Sequence, residues 1–286
     1  MIALALVIAL ASDGPGPTDV TEVPAADDRR HCFLAAYPEV VCAADRGGVT
    51  LCPPSERGRH ARPGARITWD DGRGDKPAEV RLVAADLEDT VAMRYRPGRR
   101  YEVPARDFEP GRVRSDALFE AMYGGTREEV AARTEEVQWM LRSGGKTVRV
   151  TAVNGVAAAL RQVSADLERE LPEELRRLVA TTAGVFVWRN VRGQDRRSPH
   201  SYAIAIDVGV ARSDYWDWNK PGPDGAYRYK NRFPLEVVEI FERHGFVWGG
   251  KWYHFDTMHF EYRPELLVAP CVDGPSPLVT LGGRPR

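Results

Sequence analysis

The chain has 286 residues, a formal net charge of −1 at pH 7 and a mean hydropathy of −0.40. Hydrophobic residues make up 43% and charged residues 28%, a composition typical of a globular protein with one sizeable core and some extensions. The near-neutral charge argues against an extended nucleic-acid-binding surface, and no apolar stretch reaches the roughly 18 residues needed to span a bilayer. We therefore expect neither nucleic acid as a partner nor a transmembrane segment.

The first twelve residues resemble the core and exit of a secretory signal peptide. Residues 2–11 form an apolar run of suitable length, and Ser12-Asp13-Gly14 follows it. The positively charged segment that normally precedes such a run is missing, so an apolar N-terminus that frays in solvent is the alternative. A signal peptide over residues 1–12 would make the protein periplasmic or extracellular.

Residues 13–60 are expected to form a flexible leader followed by a cysteine-containing segment. Residues 13–30 are rich in Asp, Pro and Ala and lack periodicity. None of the four cysteines of the chain lies in a C-x-x-C spacing, which favours two disulfides in an exported protein over a structural zinc site. They are Cys32, Cys42, Cys52 and Cys271. Because only the last lies outside this segment, one bridge should tie the segment to the rest of the chain, with the pairing left open.

Residues 61–109 predict a small β-rich accessory region. Residues 65–69, 79–83 and 91–95 alternate between apolar and polar side chains, as half-buried strands do. Gly, Pro and Asp residues between these runs favour turns.

Residues 110–270 have the pattern of an α+β domain, and residues 271–286 are expected to be a C-terminal tail. Helices are predicted over residues 116–123, 126–141, 157–171 and 234–244, and strands over residues 146–153, 184–189 and 203–208. Thr126 and Glu129 have the spacing of a capping box. Helices followed by antiparallel strands indicate a small antiparallel sheet with flanking helices, preceded by an N-terminal extension.

Two short segments of this domain carry residues suited to metal chemistry. His200 and Asp207 are separated by six residues, and Asp256 and His259 by two. Two imidazoles and one carboxylate suit catalytic Zn²⁺, since three protein ligands leave a fourth position open. The remaining carboxylate would then serve as a general base.

Geometry restricts how these residues can converge. A fully extended chain would place His200 and Asp207 roughly 23 Å apart, whereas ligands of one metal ion lie within a few ångströms. We therefore expect a turn that folds back after His200, followed by the strand over residues 203–208. A second bend at Thr257-Met258 would direct Asp256 and His259 into one cavity.

The motifs resemble those of the M15 family of zinc peptidases, which includes D-alanyl-D-alanine carboxypeptidases, dipeptidases and L-alanyl-D-glutamate endopeptidases. That family has Ser-x-His-x6-Asp followed by Glu or Asp-x-x-His, and this chain has Ser198-Pro-His200, Asp207 and Asp256-Thr-Met-His259. Phe186-Val-Trp-Arg189 is similar to the segment with the family's active-site arginine. Gly245 to Trp252 is similar to its tryptophan–glycine turn. The resemblance covers about residues 180–266.

The resemblance implies a role for each matching position. His200, Asp207 and His259 would bind Zn²⁺, Asp256 would be the general acid/base, and Arg189 would bind substrate or stabilise the oxyanion. Additional substrate contacts are expected from Ser198, Tyr202 and Trp252. Two alternatives stand beside these assignments: Arg192 competes with Arg189, and His254 could be imagined as a ligand in a pair with His259, although the family pattern has none there.

The implied function is hydrolysis of peptidoglycan stem peptides within the fold shared by these peptidases and the Hedgehog signalling domain. D-alanyl-D-alanine carboxypeptidase activity is the leading expectation. The alternatives are an L-alanyl-D-glutamate endopeptidase of the same family and a zinc-containing cell-wall-binding module without turnover. One departure concerns Ala203, where many relatives have Gly; its methyl group would be unfavourable if the backbone there has a positive φ.

Overall fold

The structure, a computed structural model, describes residues 29–53, 60–218, 220–269 and 271–272. The helices in these ranges are α1 (His31–Ala36), α2 (Ala78–Val83), α3 (Leu87–Ala92), α4 (Asp116–Tyr123), α5 (Arg127–Ala131), α6 (Val156–Glu170), α7 (Glu173–Ala180) and α8 (Leu235–Arg243). The strands are β1 (Val41–Asp45), β2 (Gly48–Leu51), β3 (Arg66–Thr68), β4 (Thr134–Gln138), β5 (Thr147–Thr151), β6 (Thr182–Gly184), β7 (Ala205–Val208), β8 (Phe246–Trp248) and β9 (His259–Tyr262). The predicted signal peptide and most of the predicted leader and C-terminal tail lie outside the described residues.

A four-stranded antiparallel sheet in the order β6-β7-β9-β8 forms the centre of the domain. Helix α8 covers it with a fully buried apolar face, since Val237, Val238 and Phe241 are inaccessible to solvent. The ring of Phe241 stacks on that of Phe260 in β9, with centroids 3.9 Å apart. Small antiparallel sheets with packed helices confirm the α+β prediction.

Helix α8 and helix α6 agree closely with their predictions because their apolar residues recur at helical spacing. Helix α8 begins after Pro234 and ends at Arg243, just before Gly245, whose φ is +86°. That conformation favours glycine and ends the helix. Helix α6 buries Leu160, Val163 and Leu167, which lie on one face.

The N-terminal segment, by which we mean residues 29–53 and 60–115, packs into the same hydrophobic core as the central sheet. Phe33, Val49 and Leu87 belong to one cluster of buried residues with Phe241 and Phe260. Disulfides join Cys32 to Cys271 and Cys42 to Cys52. The expectation of two disulfides, one tying this segment to the end of the domain, is confirmed.

Two of the three strands predicted between residues 65 and 95 are wrong. Strand β3 lies in the first run, but residues 79–83 belong to α2 and Val91 lies in α3. Runs of five residues fit the period of a helix as well as that of a strand, so the alternation alone did not distinguish the two. Asp86 accepts a hydrogen bond from the Asp89 amide and Asp89 accepts one from the Asp86 amide, a complete capping box at the start of α3.

The helix predicted over residues 126–141 is also largely wrong. Thr126 caps a helix as expected, accepting a hydrogen bond from the Glu129 amide, but α5 ends at Ala131. Strand β4 follows and pairs with β5, burying Val137 while its neighbours stay exposed. Pairing with β5, which a local pattern does not report, replaced the rest of the helix.

None of the helices in the described part of the chain is long and apolar enough to cross a membrane. The boundaries proposed for residues 13–60, 61–109, 110–270 and 271–286 stay predictions.

Candidate metal centre and active site

His200 lies in a 3₁₀ turn over Pro199–Tyr202, which is the expected fold-back before β7. The imidazole is almost completely buried, and its Nδ1 lies 3.0 Å from the carbonyl oxygen of Val185. Because a carbonyl only accepts hydrogen bonds, Nδ1 carries the proton and Nε2 is free to bind a metal. That Nε2 lies 3.2 Å from Oδ1 of Asp207.

Ala203 ends this turn with a φ of +56°, in the left-handed region. Its amide donates to the His200 carbonyl and its own carbonyl accepts from the Thr151 amide, so both of its backbone polar groups are bonded. A left-handed conformation costs a non-glycine residue about 1–2 kcal/mol. Ala203 therefore has the backbone conformation in which a methyl group is unfavourable.

Asp207 and His259 are cross-strand partners on β7 and β9. Nδ1 of His259 lies 3.0 Å from Oδ1 of Asp207, and the two imidazole rings of His200 and His259 have centroids 5.1 Å apart. One donor atom from each of these three residues lies within 4.8 Å of the other two. The structure thus brings together the three predicted ligands in a donor set that fits a divalent metal ion with an open position.

A tight turn at Thr257-Met258 brings Asp256 close to His259, as predicted, and the His259 amide donates to the Asp256 carbonyl over 3.2 Å. Thr257 is completely buried, and its carbonyl accepts a 2.8 Å hydrogen bond from Nε1 of Trp248. A side chain at Gly249 would approach the Asp256 carbonyl oxygen to 2.6 Å. The tryptophan–glycine motif therefore holds this turn in place.

Asp256 differs chemically from Asp207. Burial, and then the charge of Asp207, raise the pKa of Asp256 to about 6. Burial also raises the pKa of Asp207, but the charges and hydrogen bonds of His200 and His259 outweigh it and lower that pKa well below its usual range. Oδ1 of Asp256 is buried and has no hydrogen-bond partner among the described residues. Asp256 is thus suited to exchange a proton, and Asp207 to stay ionised.

A cavity of about 250 Å³ contains these groups. Five arginines line it, namely Arg112, Arg114, Arg189, Arg192 and Arg196, against three carboxylates, those of Asp207, Asp256 and Glu261. Arg114 and Arg196 are at least 95% buried. Burial and the neighbouring charges of Arg114 and Arg112 lower the pKa of Arg196, as expected for a cation short of acidic partners. The cavity therefore favours an anionic ligand.

The residues predicted to contact substrate lie in different places. Ser198, Trp252 and Arg189 line the cavity, with Arg189 exposed at its rim. Arg192 also lies there, 3.3 Å from Asp217. Tyr202 requires a correction, because its side chain is completely buried in the core against Phe119 at a centroid distance of 5.8 Å.

The strand predicted to deliver Arg189 is shorter than expected. Strand β6 ends at Gly184, and Arg189 follows in irregular backbone whose amide donates to Ser201 Oγ over 2.8 Å. His254 contacts the carboxylate of Glu109 and the ring of Trp216 and is not one of the three clustered donors. Its expected role outside the ligand set is thus consistent with its position.

Sequence reasoning missed Glu261 and the arginines contributed by the N-terminal segment. Glu261 is completely buried on β9, with Oε2 lying 3.1 Å from Nε2 of His259. Burial lowers the pKa of His259, but hydrogen bonds to Asp207 and Glu261 outweigh it and raise that pKa to about 10. The signal for Glu261 was present, because residues two apart on a strand share a face. Arg112 and Arg114 gave no such signal, since they lie far away in sequence.

Comparisons with known proteins agree with this site. Residues 192–262, which include all four candidate catalytic residues, match a peptidase M15 family model described as D-alanyl-D-alanine carboxypeptidase. This part of the chain is therefore similar to the M15 peptidase family. A stretch of 72 residues is 40% identical to the peptidoglycan L-alanyl-D-glutamate endopeptidase CwlK of Bacillus subtilis (strain 168). This match covers 24% of the chain and 41% of that relative, so the chain spans less than half of its length. No solved structure matches the chain.

Proposed function

We propose that this protein is a zinc-dependent peptidase that hydrolyses peptidoglycan stem peptides. The observation that carries the proposal is the convergence of His200, Asp207 and His259 beside a carboxylate, Asp256, with an unpartnered oxygen. This arrangement combines a metal-binding set with a separate proton acceptor in one cavity. A binding module without turnover would not need the proton acceptor, so the arrangement favours catalysis.

Each residue has a distinct part in the proposed reaction. Bound Zn²⁺ supplies Lewis acidity, which polarises a carbonyl and makes water more acidic. Asp256 takes the proton of the attacking water and returns it to the leaving amine. Asp207 keeps its negative charge and, with the two imidazoles, holds the ion. Arg189 at the rim steadies the developing negative charge or a carboxylate of the substrate.

The arginine-rich cavity supports a substrate with a carboxylate close to the bond that is cut. Both candidate bonds have one. In D-alanyl-D-alanine, the residue that leaves carries the terminal carboxylate. In the L-alanyl-D-glutamate bond of peptidoglycan, the D-glutamate continues through its γ-carboxyl group, so its α-carboxylate is free. Five arginines suit either anion, so the charge of the cavity does not distinguish the two bonds.

Two specificities are therefore candidates, each with its own support. The description of the matching family model favours D-alanyl-D-alanine carboxypeptidase activity, whereas the curated relative favours cleavage between L-alanine and D-glutamate. The first requires room for a single D-alanine beyond the bond, and the second requires room for the rest of the stem.

A single substrate can test both. We would incubate the zinc-loaded protein with a purified pentapeptide muropeptide and identify the products by mass spectrometry. Loss of one D-alanine indicates the carboxypeptidase, and release of the stem after L-alanine indicates the endopeptidase. If zinc binds but neither product forms, the proposed hydrolysis is wrong.

We also propose an extracytoplasmic location and the fold shared with Hedgehog-type domains. Two disulfides support the location, because such bonds persist in oxidising compartments. Cell fractionation tests the location. An experimental structure superposed on that fold tests the topology. The feature to compare is the strand order β6-β7-β9-β8.

A further inference from the structure

We propose that Glu261 positions His259. A buried ionic chain runs from Glu261 through Arg263 and Glu265 to Tyr37, and through it the N-terminal segment supports the metal centre. The proposal rests on the proposed zinc-binding role of His259. It assigns a positioning role to residues that act through His259.

The first link of this chain determines which nitrogen of His259 faces the metal. The Glu261 carboxylate, in contact with Nε2, is completely buried and can only accept a hydrogen bond while it is ionised. Nε2 must therefore carry a proton, and Nδ1 is the nitrogen directed at Asp207. In His200 the roles of the two nitrogens are reversed: Nδ1 is bonded to a backbone carbonyl, and Nε2 is directed at Asp207. A carboxylate behind a ligand histidine fixes its ring and increases its basicity.

The second link joins Glu261 to two further charges. Arg263 Nη1 donates to Oε1 of Glu261 over 2.9 Å, and Arg263 Nε donates to Oε1 of Glu265 over 2.5 Å. Arg263 also donates to the carbonyl of Gly111 in the N-terminal segment. All three charged side chains are completely buried. Because water cannot replace a lost partner here, each charge depends on its neighbours.

The last link reaches the N-terminal segment. Tyr37, which directly follows α1, donates from its hydroxyl to Oε2 of Glu265 over 2.5 Å and is 1% exposed. The Cys32–Cys271 disulfide joins α1 to residues just beyond Glu265. The tyrosine, the helix and the disulfide therefore shield the far end of the ionic chain, at Glu265, from solvent. We infer that His259 is held from as far away as the N-terminal segment.

A second buried network offers a matched control. Tyr95 and Lys251 both donate to Oε1 of Glu242 over 2.5 Å, and all three residues are buried. Their other hydrogen bonds lead to backbone groups of residues 96, 98 and 248. This network also joins the N-terminal segment to the central domain through a tyrosine, a glutamate and a cation. It differs in that, among the described residues, none of its side chains is hydrogen-bonded to His259.

The experiment compares Glu261→Gln with Glu242→Gln in the full-length, disulfide-bonded protein. Zinc affinity is measured by competition with a chromophoric chelator, and the melting temperature is measured without metal. Glu261→Gln should weaken zinc binding by about 10-fold or more, as for other residues that support metal ligands. Glu242→Gln should lower the melting temperature and leave zinc affinity within about twofold of wild type. Equal zinc affinities for the two variants would overturn the proposal.

A milder pair covers the case in which Glu261→Gln fails to fold. Tyr37→Phe and Tyr95→Phe each remove one buried hydroxyl from a glutamate. Only Tyr37→Phe should weaken zinc binding. The expected effect is small, about threefold, because Tyr37 acts on His259 through Glu265, Arg263 and Glu261. Equal effects of Tyr37→Phe and Tyr95→Phe on zinc affinity would show that the ionic chain only stabilises the fold, and would overturn the proposal.

Zinc binding is read without substrate, which separates this proposal from the proposed function. A wild-type protein that binds zinc but cleaves no stem peptide contradicts the proposed function alone. A wild-type protein that does not bind zinc contradicts both.

Discussion

The catalytic segment, residues 182–266, and the N-terminal segment contribute to the site in different ways. All four candidate catalytic residues lie in the catalytic segment, on β7, β9 and the turns beside them. The N-terminal segment supports them from behind: the carbonyl of Pro110 accepts from Nε1 of Trp252 over 2.7 Å, and the carbonyl of Phe108 accepts from the Tyr253 amide. The chemistry is local in sequence, whereas its support comes from residues more than 100 positions away.

This difference predicts different mutational effects. Changes to the candidate catalytic residues should abolish metal binding or catalysis while the protein stays folded. Changes in the N-terminal segment outside Arg112 and Arg114, which line the cavity, should first reduce stability, and should affect the metal through the ionic chain that ends at His259. The tests below are ordered from the largest expected effect to the smallest.

Asp207→Ala should remove the zinc and all hydrolysis with it. Asp207 is the carboxylate between the two imidazoles, so its loss leaves only two ligands. We expect zinc affinity to fall at least about 100-fold, measured by chelator competition and by the metal content of purified protein. The melting temperature of the metal-free protein is the control for folding. Stoichiometric zinc in a folded Asp207→Ala variant would refute the ligand assignment.

Asp256→Ala should slow stem-peptide hydrolysis by about 10²–10⁴-fold while zinc stays bound. Its unpartnered oxygen suits proton transfer, and it is not among the three clustered donors. Asp217→Ala is a matched control, because Asp217 pairs with Arg192 at the rim of the cavity. Turnover and zinc content are measured on the same samples. Full activity in Asp256→Ala would contradict its role as general base.

Removing the Cys32–Cys271 disulfide should reduce the free energy of unfolding by about 2–5 kcal/mol, since it closes a long loop. The two cysteines are 239 positions apart, whereas Cys42 and Cys52 are 10 apart. Replacing both cysteines of the short pair with Ser should therefore cause a smaller loss in the free energy of unfolding, of roughly 2 kcal/mol. Chemical denaturation of the metal-free proteins measures both. A larger loss for the short pair would contradict this ranking and weaken the claim that the N-terminal segment is anchored through Cys271.

Ala203→Gly should have the smallest effect, a gain of about 0.5 kcal/mol in the free energy of unfolding. Glycine relieves the left-handed φ of +56°, which offsets its larger entropy in the unfolded chain. Ala205→Gly, at an ordinary position in β7, should instead lose about 1 kcal/mol. Urea denaturation distinguishes them. If both substitutions destabilise the protein equally, the conformation of Ala203 carries no strain.

Prediction from sequence succeeded where the determining contacts are local. The turn after His200 was predictable because seven residues of extended chain cannot bring His200 to Asp207. Helix α8 was predictable because its apolar spacing and flanking Pro234 and Gly245 agree. Prediction failed for β4, where residues with helical propensity were recruited by pairing with β5. It also failed for Tyr202, which follows a ligand closely but packs in the core.

The sequence by itself determined the identity and spacing of His200, Asp207, Asp256 and His259, and hence the class of chemistry open to the protein. Those residues lie in two short segments whose local backbone restricts where they can point. Only the tertiary structure decided what surrounds them: the arginines of the cavity, the carboxylate behind His259 and the N-terminal tyrosine at the end of the ionic chain. These depend on long-range packing, in which burial and the need to pair every buried charge select partners that are distant in sequence.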